Sequence, residues 1–288
     1  MAEYIAGFCI YCGASKASGY AKNLRTEHIV PLALNGDIEL KEATCESCEK
    51  ITGKVEQLAL RGHYRGLRTQ PGWKHRNKSE QPSQLPVFVP NPDGGPELRR
   101  MIPLAEYPHV HFFFDLPTPG LLLGVQRGWE YGPKHRWMRI QATEVNPPVT
   151  SEKLSTFATP SLDLHCFCRM LAKIGHAYAT AKVGRQFFSP LLPPLILGDT
   201  TDCYRFVGGF PQVEELPAAD TPFQISLGRE TAFGKEYLVA KIRIFASLPG
   251  SRFYRTVIGE ISKDTEFGLD EQSRSELVTS GRDSSSDK

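Results

Sequence analysis

Cys9-Ile10-Tyr11-Cys12, Thr26-Glu27-His28-Ile29-Val30-Pro31 and Cys45-Glu46-Ser47-Cys48 are the three pieces of sequence that decide how the start of this chain folds. Four thiols in two CxxC pairs can hold one zinc ion, and the metal then fixes short elements that bury too little apolar surface to fold alone. The pairs stand 32 residues apart, more than the roughly 15 to 20 of a common two-pair zinc site. A sizeable insertion therefore lies inside the metal loop. A site of four thiolates is closed, tetrahedral and redox-inert, so Cys9, Cys12, Cys45 and Cys48 are expected to be a staple. Two unrelated pairs, one of them redox-active, are the alternative that spacing alone leaves open.

Outward from these pairs the pattern reads as strand, turn, strand and helix. Polar turns at Gly13 to Gly19 and at Asn35-Gly36-Asp37 separate short apolar runs such as Ile29 to Leu34. From Thr44 on, Cys48, Ile51, Val55, Leu58 and Ala59 follow a helical face, with Gly62 as the stop. Between Gln57 and Ser79 there is no acidic residue, while Arg61, Arg65, Arg68, Lys74, Arg76 and Lys78 form a basic run with Tyr64 and Trp73 among them. Such a run suits contact with a phosphate backbone, and the two aromatic residues are free to stack or to pack.

The expected fold class is α+β: a small zinc-stapled ββα domain over residues 1–75, a Pro-rich linker over 76–105, a larger α+β domain over 106–262 and a disordered tail over 263–288. In the linker, Pro82, Pro86, Pro90, Pro92, Pro96 and Pro103 argue against a helix or a central strand. The larger domain is expected to hold strands at His109 to Leu116, Gly120 to Gln126 and Arg136 to Ala142. An amphipathic helix follows from Pro160, with Leu164, Phe167, Leu171, Ile174, Tyr178 and Ala181 on one face and Gly184 past its end. A meander over Pro222 to Gly228, Tyr237 to Ala246 and Phe253 to Ile261 closes it. The tail carries seven acidic and four basic residues among few apolar ones.

With 288 residues and a net charge of +2, any nucleic-acid surface must be a local patch. The seven cysteines are odd in number, and Cys166, Cys168 and Cys203 are scattered. That is not the disulfide framework of a secreted protein, so a cytoplasmic location is expected. No run approaches the roughly 18 apolar residues of a membrane span. His165, Cys166, Cys168 and His176 suggest a second metal site, but residues two apart point to different sides of a helix, so Cys166 and Cys168 read as buried structural cysteines.

Glu27-His28-Ile29-Val30-Pro31 between the pairs Cys9/Cys12 and Cys45/Cys48 resembles the zinc-bearing HNH endonucleases, the ββα-metal nucleases, over roughly residues 8–70. The continuation Cys48-x-x-Ile51-Thr52-x-x-x-Glu56, followed by Leu60-Arg61, is similar to a bacterial subgroup of that family. The resemblance implies a metal-dependent endonuclease that hydrolyses DNA phosphodiester bonds. His28 would be the general base, and Glu27 and Glu49 would be catalytic ligands of Mg²⁺ or Mn²⁺, with Glu56 as a further candidate. A hard cation on carboxylate oxygens would stabilise the leaving 3′-oxygen. Two positions depart from the family pattern: its middle Asn falls near Glu39-Leu40, and Glu49 stands where Asn or His is usual. The alternative is a catalytically silent, zinc-dependent nucleic-acid-binding module. If the two domains are independent, chelation should unfold the first 60 or so residues alone.

Overall fold

The insertion between the cysteine pairs folds as two antiparallel strands that feed a helix. The structure, a computed structural model, describes residues 3–15, 17–18, 23–61, 64, 83–104, 110–126, 137–142, 163–210, 216–248 and 250–261. Strands β1 (Glu3–Ile5), β2 (Arg25–His28) and β3 (Glu39–Thr44) form one sheet in the order β1-β3-β2. β2 runs antiparallel to β3, with Glu27 opposite Leu40 and His28 opposite Glu39, and β1 joins parallel to β3. The connection from β2 to β3 is tight. Asn35 takes φ 61°, and at Gly36 a Cβ would lie 2.0 Å from the Val30 carbonyl oxygen, so only glycine fits.

Helix α1 (Glu46–Arg61) follows directly from β3. Its buried side is Cys48, Thr52, Val55 and Ala59, whereas Ile51 and Leu58, expected on that side, are exposed. A step of four, three and four residues keeps one stripe inward, and Ile51 and Leu58 each fall one position off it.

The segment read as a linker contains a hairpin of β4 (Gln84–Val89) and β5 (Leu98–Pro103). Its prolines are tolerated because a two-stranded sheet has only edge strands, and Pro103 is the last residue of its strand. Leu85, Val87 and Val89 alternate inward. β6 (Val110–Asp115) and β7 (Trp137–Ala142) form a second antiparallel pair. The strand expected at Gly120 to Gln126 is instead a 3-10 turn at Gly120–Leu123, entered from Pro119 and closed by Gly124 at φ 74°.

Helix α2 (Leu164–Lys182) organises the rest. The Asp163 carboxylate accepts the Cys166 N–H at 2.9 Å and caps its start; the expected start at Pro160 lies outside the described residues. The expected apolar face, with Phe167, Leu171, Ile174 and Tyr178, is buried, but burial extends well beyond it. Except for Arg169, every residue from Cys166 to Thr180 is buried, including Lys173 and His176. One side of α2 meets α1, and another meets β11 (Lys235–Ile244) and β12 (Phe253–Ile261). Those two strands and β10 (Phe223–Ala232) are the expected meander, in the order β10-β11-β12. β8 (Ser189–Pro190) and β9 (Val207–Gly208) add short pairings to β12. Two short helices, α3 (Pro193–Leu197) and α4 (Cys203–Phe206), lie between them. Gly208 lies in β9, where a Cβ would meet the Pro117 carbonyl oxygen at 2.2 Å.

The buried apolar cluster is continuous. It runs from Cys9, Ile29 and Leu40 through Val55 to Phe167, Leu171, Ile242 and Tyr254. Among the described residues no helix is long and apolar enough to cross a membrane.

Candidate functional site

Backbone turns place the four cysteine sulfurs. The Cys9 N–H bonds the Ala14 carbonyl at 2.7 Å, and the Gly13 N–H bonds Cys9 at 2.8 Å, with Gly13 at φ 77°. The Ile10 N–H bonds Ala43 of β3 at 2.8 Å, which brings this turn against the end of β3, where Cys45 and Cys48 begin α1. All four sulfurs lie within 4.8 Å of one another, and Cys12 and Cys45 are 3.7 Å apart. Four Zn–S bonds of about 2.3 Å need sulfur separations of about 3.8 Å, so the cluster fits zinc or a like metal. A hydrogen bond from Cys48 pushes the Cys9 thiol down to about 4, while the same contact pushes Cys48 up. From α2, the ring of His176 reaches the Ile10 carbonyl at 2.8 Å through Nε2. Burial pushes His176 down to about 4, so Nε2–H donates to that carbonyl from a neutral ring.

Beside the sulfur cluster, β2 and α1 enclose an open cleft of about 500 Å³, lined by Arg25, Glu27, His28, Glu49, Thr52 and Glu56 among others. His28 is 42 % exposed, and its Nδ1 faces the Glu39 carboxylate at 3.7 Å. Glu39, the departure from the expected Asn, thus lies beside the imidazole across the strand pair. Glu49 hydrogen-bonds the Arg25 guanidinium.

Glu27 and Glu56 converge on Lys173. The Lys173 ammonium sits 2.5 Å from Glu27 Oε1 and 2.6 Å from Glu56 Oε1, and it donates to the His28 backbone carbonyl at 2.5 Å. Its side chain is 2 % exposed. Burial alone would strip the proton from Lys173, but the two carboxylates reverse that and hold it charged. Burial also raises the Glu27 carboxyl; Lys173 opposes this and Glu56 reinforces it. The two directions are compatible, because one ammonium neutralises one carboxylate and a surplus negative charge remains. Burial and both carboxylates push the nearby Tyr11 phenol up as well.

The cysteines, Glu27, His28, Glu49 and Glu56 are therefore brought together, but the three carboxylates expected to hold a cation are paired with basic side chains of the chain itself. A hard divalent cation needs free carboxylate oxygens. Here Glu27 and Glu56 are engaged by Lys173, and Glu49 by Arg25. Two unit charges about 4 Å apart repel by about 4 kcal/mol at an effective dielectric of about 20, and a dication doubles that. As arranged, these residues do not fit Mg²⁺ or Mn²⁺. Of the basic run, Arg61 closes the backbone of α1, whereas Arg65, Arg68, Lys74, Arg76 and Lys78 lie outside the described residues. Tyr64 is core: it is 1 % exposed, with its ring centroid 4.5 Å from that of Phe245. Among the described residues the four cysteines are the one cluster suited to a metal, and Cys166 and Cys168 are buried.

Lys173 escaped the reading of the sequence. Its signal is present: it is the one Lys, Arg, Asp or Glu between Arg169 and Lys182, in a run that is otherwise mostly apolar. A lysine there must find buried acceptors, but the sequence does not name them. No family model, curated protein or solved structure matches the chain.

Proposed function

We propose that this chain acts on nucleic acid through a zinc-stapled unit of the HNH kind, and that the cleft, as built, binds without cleaving. The resemblance over residues 8–70, the strand-strand-helix order of β2, β3 and α1 and the basic run after α1 support the nucleic-acid partner. One observation carries the silence: the Lys173 ammonium engages Glu27 and Glu56, the carboxylates on which a catalytic cation would draw. His28 can still accept a proton from water, but the leaving 3′-oxygen then has no metal to stabilise it. Lys and Arg contacts to phosphates supply affinity and orientation without sequence choice.

Hydrolysis is the second reading, favoured by the exposed His28 ring beside the Glu39 carboxylate. The Glu39 carboxylate 3.7 Å from Nδ1 favours a proton on that nitrogen, which would leave Nε2 as the base.

The discriminating experiment combines DNA binding and plasmid nicking by the zinc-loaded chain. Binding is expected to weaken steeply with salt, with a log–log slope of about −0.9 per phosphate contact, and to persist in His28→Ala. Wild type with Mg²⁺ or Mn²⁺ is expected to nick supercoiled plasmid no faster than His28→Ala. Metal-dependent nicking above that background would establish the second reading instead. Absence of salt-sensitive binding would overturn both.

A further inference from the structure

The three oxygens around Lys173 Nζ are assembled without any help from the helix that carries the lysine. Glu27 and the His28 carbonyl come from β2 and Glu56 from α1, whereas Lys173 arrives on α2, 145 residues beyond His28 in sequence. The ammonium donates a hydrogen bond to the His28 carbonyl, and the Glu27 and Glu56 carboxylates lie at ion-pair distance from it, 2.5 and 2.6 Å away. Two carboxylates and one carbonyl are an all-oxygen set, the kind that suits a hard divalent cation rather than zinc. That acidic residues lie together would mean little; that a buried cation sits among them, 2 % exposed, shows that the pocket is built around positive charge. The balance is incomplete, since two carboxylates face one ammonium. A dication would complete it.

We propose that Lys173 masks a divalent-cation site formed by Glu27, Glu56 and the His28 carbonyl. Helix α2 supplies a tethered ammonium where the zinc-stapled unit alone would hold Mg²⁺ or Mn²⁺, and loss of that ammonium frees the oxygens for the metal. The inference deepens the reading of the cleft as silent and rests on it for its consequence. Its test needs no nucleic acid, however, so failed DNA binding and failed metal binding are distinct results.

The probe is Mn²⁺, titrated into the full-length, zinc-loaded chain and followed by loss of the free-ion electron paramagnetic resonance signal. Lys173→Ala removes the ammonium, and Lys173→Met removes the charge but keeps an apolar stem of similar length. Either variant is expected to bind one Mn²⁺ per chain at least ~10-fold more tightly than wild type, with oxygen ligands of this kind. Adding Glu27→Gln should return it to the wild-type level. Folding is monitored alongside: Mn²⁺ should raise the melting temperature of the Lys173 variants and not that of wild type. If both variants are unfolded without metal, recovery of structure on adding Mn²⁺, abolished by Glu27→Gln, supports the masked site. Failure to recover overturns it. It is equally overturned if wild type binds one Mn²⁺ in a manner lost in Glu27→Gln, or if folded Lys173 variants bind no more tightly than wild type.

Discussion

Lys173 shows how one buried side chain changes the meaning of three others. Glu27 and Glu56 are chemically suited to a metal, and the same carboxylates are what make an ammonium tolerable at 2 % exposure. Lys173→Met should therefore cost about 3 to 5 kcal/mol in chemical denaturation at pH 7, because two carboxylates are left buried without a cation. The sign of its pH dependence follows from Glu27, whose carboxyl lies above its usual value. In the window above the unfolded carboxyl value of about 4.3, the folded chain holds a proton the unfolded chain has released, so stability falls as pH rises. The gap between wild type and Lys173→Met should narrow on acidification through that window; a gap that widens would contradict the arrangement. His176 acts at the cysteine cluster. Its Nε2–H steadies the Ile10 carbonyl inside the Cys9–Cys12 turn, and His176→Ala should weaken zinc retention by about 10- to 100-fold in chelator competition.

Helix α2 does the work of an element buried on every side. At Gly175 a Cβ would stand 2.3 Å from Thr256 Oγ1 and 3.3 Å from Ala240 Cβ, so the helix and the β11–β12 surface approach as closely as they do because that residue has no side chain. Gly175→Ala gains about 1 kcal/mol of helix propensity. It must also displace buried Thr256, and overpacking of that kind costs about 1 to 3 kcal/mol. A net loss of thermal stability is expected, and a rise in melting temperature would refute the close approach. The N-terminus of the same helix depends on Asp163. Burial works against its charge, but the hydrogen bond with Cys166 prevails and holds the carboxyl below its usual value. Asp163→Ala should cost about 1 kcal/mol at neutral pH. That contribution is present above the unfolded value and lost as pH falls through the folded one.

At the scale of the whole molecule, the cysteine unit and the β10–β12 sheet share α2 and one apolar cluster. Independent melting of the first 60 or so residues is therefore not the expected response to chelation. Zinc removal should lower amide-exchange protection in β2, β3 and α2 together, because Lys173 and His176 tie the helix to the metal unit. Protection lost only within residues 3–61 would show that the shared core transmits little.

How much of this was written locally depends on the range of the interactions. The cysteine quartet, the order of β2, β3 and α1, the course of α2 and the closing meander all come from spacing and periodicity, which act over a few residues. The exposure of Ile51 and Leu58, the hairpin within the Pro-rich stretch and the 3-10 turn after Pro119 depend on which neighbours are present. The site was legible in half. Sequence alone singled out Glu27, His28, Glu49 and Glu56 beside a four-cysteine cluster, because motif residues lie close along the chain. Only the tertiary structure could set Lys173 among them, because that contact joins residues 145 apart and the acceptor geometry exists only once α2 lies against α1 and β2.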